Sequence, residues 1–85
     1  MIIPNNIHEF LVMNGWEDQS LAGDDYCSYY RKDNIGIDID DTEIVFVNAH
    51  GDFLHLPRNV FSLIGGLIHY RFIATDYKYP ENLHE

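Results

Sequence analysis

The 85-residue sequence predicts a small α+β domain, an antiparallel meander of three to four strands with two helices packed on one face, in the order α-β-β-β-(β)-α. Three observations predict it. An apolar pattern of helical period opens the chain, alternating and continuous apolar runs joined by short turn signals fill its middle, and a wide apolar helical face follows. The length suits one domain over 1–85, with 75–85 read as an extended tail.

The first helix is predicted over 7–14. Asn6 can cap it, and Glu9 three residues later completes a capping-box pattern. Ile7, Phe10, Leu11 and Asn14 share one face. Gly15 suits the left-handed position past the end, and Trp16 can fold back on the last turn. Residues 17–25 are polar, contain Gly23 and read as an acidic loop.

Strand signals come next. Residues 26–32 are aromatic and β-favouring, and Asp33-Asn34 is turn-prone. Residues 35–40 alternate, with Ile35, Ile37 and Ile39 on one face and Gly36, Asp38 and Asp40 on the other. A turn at Asp41-Thr42 leads to an apolar central strand over 43–48. A further turn over 48–52 leads to a short strand over 53–56. Pro57 fits the first position of a second helix running to about Phe72. Val60, Phe61, Leu63, Ile64, Leu67, Ile68 and Phe72 form its apolar face, and Gly65-Gly66 implies close approach to a neighbouring element. Short connections favour antiparallel pairing, because parallel strands need long crossovers.

Charge is the strongest compositional signal. Fourteen acids against five bases give −9, and residues 17–43 alone carry −7 of it. Such a chain repels nucleic acid and anionic membranes and attracts basic partners. The apolar run at 63–68 is far shorter than the ~20 residues of a membrane span. A single cysteine, Cys27, excludes an internal disulfide and reads as a small hydrophobe. The N-terminus lacks the basic and apolar regions of a signal peptide, so a cytoplasmic location is expected.

No pattern in the chain specifies an enzyme or a cofactor. Asp38-Ile39-Asp40-Asp41-Thr42 matches the DxDxT nucleophile motif of haloacid-dehalogenase-type phosphatases in letters only. The large parallel sheet and the distant lysine and acids of such enzymes have no counterpart here. It is no EF-hand loop either, since the glycine and the closing Glu are missing. His50, Asp52 and His55 form an H-x-D-x-x-H pattern of metal-competent residues flanking a turn. The α-β-β-β-α order resembles the double-stranded-RNA-binding domain in topology alone. The second helix, opening Pro57-Arg58-Asn59-Val60, lacks that domain's lysine cluster.

The first functional expectation is therefore a non-enzymatic binding module, a protein inhibitor or nucleic-acid mimic docking on a basic site of a partner protein. By class-level analogy it is of the phage or mobile-element anti-defence or immunity type. Its candidate contacts are Glu17, Asp18, Asp24, Asp25, Tyr29, Asp38, Asp40, Asp41 and Glu43. The expected partner is a basic protein surface, such as that of a nucleic-acid-binding protein, with no direct nucleic acid and no membrane. The alternative is a homo-oligomer, such as a homodimer, formed through the tyrosine strand or the Gly65-Gly66 helix, with the acids serving solubility alone. The third reading is a metal-binding protein through His50, Asp52 and His55.

Overall fold

The computed structural model describes Pro4, residues 6–21, residues 27–78 and Leu83. Asp24, Asp25 and Tyr26 lie outside the described residues, as does most of 79–85.

Helix α1 spans Ile7–Met13, and the Asn6 side chain accepts from the Glu9 backbone N–H at 2.9 Å as its cap. Ile7, Phe10 and Leu11 are buried, whereas Asn14 is the exposed C-cap. Gly15 takes a φ of 90°, and the Trp16 N–H returns to the Leu11 carbonyl at 3.0 Å, burying the indole.

Residues 17–25 are not wholly loop. Glu17–Asp18 form a two-residue strand, β1, so the sheet has five strands. The cause is local. Trp16 anchors the chain beside β2 (Ser28–Lys32), and Glu17 then lies opposite Arg31 while Asp18 lies opposite Tyr30. This satisfies backbone groups that a β2 edge would leave unpaired. Strands β3 (Ile35–Ile39), β4 (Glu43–Val47) and β5 (Phe53–Pro57) follow in an antiparallel meander of order β1-β2-β3-β4-β5.

Pro57 ends β5 instead of opening the second helix. Helix α2 spans Val60–His69, and the Asn59 side chain caps it by accepting from the Ser62 N–H at 2.7 Å. The helix stops short of Phe72 because Arg71 adopts a φ of 65°. Phe72 still packs, edge-on against Trp16 with ring centroids 4.8 Å apart.

Both helices lie over one face of the sheet. The core is Ile7, Phe10 and Leu11 of α1, Trp16, Tyr30, Ile35, Ile37, Ile39, Ile44 and Phe46 of the sheet side, Leu63, Ile64 and Leu67 of α2, and Leu83. Gly66 lies against the Phe46 ring, where a Cβ would collide. Gly65 meets nothing within 4 Å, so close approach holds for one glycine of the pair. Phe61, expected on the apolar face, is 79% exposed at the margin of α2 beside β5. Among the described residues no helix is long and apolar enough to cross a membrane.

Candidate functional site: the uncovered sheet face

The register assigns every strand residue to the helix-covered face or to the open one. One row of the open face runs Tyr29, Asp38, Val45, His55. The next runs Glu17, Arg31, Gly36, Val47, Phe53, and a third pairs Glu43 with Pro57. The Tyr29 ring lies across Gly36, where a side chain would strike the phenol. Its hydroxyl is 3.5 Å from the Arg31 guanidinium. Val45 and Val47 are half-exposed, and Phe53 is 65% exposed. The face thus mixes aromatic and aliphatic side chains with carboxylates, Asp38 on the middle strand between Tyr29 and Val45, and Glu17 and Glu43 nearer its ends.

The sequence-derived contacts divide accordingly. Glu17, Tyr29, Asp38 and Glu43 share the open face. Asp18 does not, because it faces the helix side with Tyr30. Its carboxylate accepts from the Ser20 backbone at 3.0 Å, and bonding to Ser20 holds its pKa below the ordinary value. Asp40 and Asp41 occupy the β3–β4 turn. The Asp40 carboxylate accepts from the N–H groups of Thr42 and Glu43, each at 2.8 Å, and these bonds lower its pKa. Arg58 holds the same turn, donating to the Asp40 carbonyl at 2.7 Å. Asp40 is thereby a turn-forming residue first, and Asp41 is exposed at the end of the face. Asp24 and Asp25 lie outside the described residues. The described residues on either side of that gap, Leu21 and Cys27, line a concavity with Tyr29 and Asp38.

The metal reading fails on geometry. Asn48 holds the β4–β5 turn by accepting from the N–H groups of His50 and Asp52 at 2.9 and 3.0 Å, and its amide donates to Asp52 at 3.2 Å. His55 lies instead beside Glu43, at 3.4 Å. Among the described residues no three His, Cys, Asp or Glu side chains converge on a metal position.

Sequence reasoning missed one grouping. His8 Nδ1 and the Tyr30 hydroxyl are 2.6 Å apart, at a shallow groove of about 390 Å³ also lined by Glu9, Val12, Met13 and Asp18. Burial lowers the His8 pKa, with Arg58 adding to the effect, and burial raises that of Tyr30. Both shifts favour the neutral forms, so the pair ties α1 to β2 without requiring a charge. The two residues are 22 positions apart, so no spacing rule could join them.

No known protein family, curated protein or solved structure matches the chain.

Proposed function

We propose that the protein is a non-enzymatic binding module that docks its open sheet face on a basic surface of a partner protein and thereby inhibits it. The observation that carries this reading is the composition of that face. Tyr29, Val45, Val47 and Phe53 offer apolar contact, with Asp38 among them and Glu17 and Glu43 on the same face. Protein interfaces combine aromatic and aliphatic anchors with polar groups that set orientation and partner.

Charge density favours protein docking over mimicry of a duplex. Five strands at about 4.8 Å spacing span about 20 Å, over which B-DNA carries about ten phosphates. The described face offers three carboxylates, interrupted by Arg31. A nucleic-acid-binding protein is a fitting partner, because its basic surface complements these carboxylates.

The test is affinity capture from the native host with wild type, an Asp38→Lys/Val45→Lys double variant and Val12→Lys on α1. A basic partner should be retained by wild type and Val12→Lys, released by raised salt, and lost by the double variant while its circular dichroism stays native. Retention by the double variant, or by a salt-insensitive contact alone, would overturn the reading.

A further inference from the structure

The two edges of the sheet are built differently. Edge strand β1 has two residues, both acidic, which is the usual protection against strand addition. Edge strand β5 has five residues, Phe-Leu-His-Leu-Pro, with no lysine and no carboxylate. Residues 53–75 contain Arg58 and Arg71 and no Asp or Glu, in a chain of net charge −9, and the carboxylates that flank β5 are those of Glu43 on β4, beside His55, and Asp52 in the preceding turn. This is the longest stretch of the chain without a carboxylate.

The hydrogen bonds define what the edge offers. Asn48 N–H bonds the Asp52 carbonyl at 3.1 Å and Arg58 N–H bonds the Thr42 carbonyl at 3.2 Å. Both pairs belong to the β4–β5 register, so the bonded positions of β5 between them are Leu54 and Leu56. The backbone groups of Phe53, His55 and Pro57 therefore point away from β4. Among the described residues no strand pairs with that edge, and the Pro57 carbonyl at its end accepts from the Asn59 N–H at 3.0 Å.

We propose that this edge forms a homodimer, two β5 strands pairing antiparallel about a twofold axis at His55. In that register His55 N–H and C=O exchange two bonds with the His55 of the second copy. Phe53 N–H reaches the Pro57 carbonyl of the second copy, as a second donor beside that copy's Asn59 N–H, and the reverse. The missing N–H of Pro57 lies where the pairing ends, so a shift of register loses bonds. Leu54 then faces Leu56 of the second copy on the helix side. There an apolar groove of about 320 Å³, lined by Leu54, Leu56, Phe61, Gly65 and His69, lies open in the monomer. The empty space at Gly65 leaves room for a side chain from across the seam. An axis normal to the sheet leaves both open faces on the same side, giving a continuous ten-stranded surface. The contact uses the edge and not the face, so it stands independently of the function proposed above.

Sedimentation equilibrium on purified chain from about 5 to 500 µM tests it, the range a small interface of this kind requires. Wild type should dimerise, and the His55 amide should become protected from exchange as concentration rises. His55→Pro removes an outward N–H, which edge strands tolerate, together with the exposed imidazole contact to Glu43. It should weaken dimerisation at least ~10-fold with an unchanged circular dichroism spectrum, consistent with loss of two hydrogen bonds. Phe61→Lys should weaken it similarly, and decides the matter if His55→Pro fails to fold. Val12→Lys should leave it unchanged. A wild type that stays monomeric at the highest concentration, or a dimer that survives Phe61→Lys and any folded His55→Pro, would overturn the proposal.

Discussion

Gly65 and Gly66 are adjacent in α2 and have opposite surroundings. The Gly66 α-carbon faces the Phe46 ring, which is itself stacked on Tyr70 at 5.5 Å and has no room to retreat. The Gly66→Ala methyl must displace that ring, and overpacking of this kind costs ~1–3 kcal/mol. Gly65 meets open space, so Gly65→Ala adds helix propensity without a clash, worth ~0.5–1 kcal/mol of stability. Urea denaturation of the two variants should move the midpoint in opposite directions. The glycine pair was visible in the sequence as a sign of close approach, but only the rotation of α2 on the sheet decides which glycine makes it. His50, Asp52 and His55 teach the same lesson. Their spacing showed metal-competent chemistry, while the Asn48-centred turn and the Glu43 contact separate them.

The elements were legible wherever period and caps agreed. Alternation in β3 placed its isoleucines in the core and Asp38 outside, as the burial shows. The Asn6 cap and the Gly15 stop bounded α1 to within a residue. What failed was the short and the ambiguous. Two acidic residues carry no strand signal, and β1 exists because β2 presents a backbone edge beside the Trp16 anchor. Pro57 suited a helix start or a strand end equally, and the nearby Asn59 cap resolved it. The tie between α1 and β2 through His8 and Tyr30 gives a pH dependence at this scale. The folded pKa of His8 lies below its unfolded value, so between them the unfolded chain binds more protons. Stability should fall as pH drops below about 6.5, since protonation of His8 is disfavoured in the fold. Thermal melts of His8→Asn should lose that decline. Both proteins should weaken further below about pH 4, where the depressed carboxylates of Asp18 and Asp40 take up protons.

At the scale of the molecule, the charge is distributed by side. Carboxylates occupy α1, the β1 edge, the open face and the three turns of the meander from β2 to β5, while β5 and α2 carry none. A net charge of −9 on a chain this small repels itself in the folded state more than in the expanded one. Raising NaCl from about 20 mM to about 0.5 M shortens the Debye length from ~20 Å to ~4 Å, within the molecule's 31 by 28 by 22 Å extents. The melting temperature should rise over that range. A flat or falling curve would mean that the Glu17–Arg31 juxtaposition and similar pairs outweigh the repulsion.

The sequence by itself determined the α+β class, the antiparallel meander, the helix-covered face and the strongly acidic middle of the chain. These follow from periodicity, turn residues and composition, which act over a few neighbours at a time. Only the tertiary structure decided which acids share a surface. Glu17, Asp38 and Glu43 come together because sheet register sums contributions from three strands, and a single residue of register sends Asp18 to the opposite side. The place of β5 at a sheet edge was likewise set by strand order, a long-range property that no local pattern encodes.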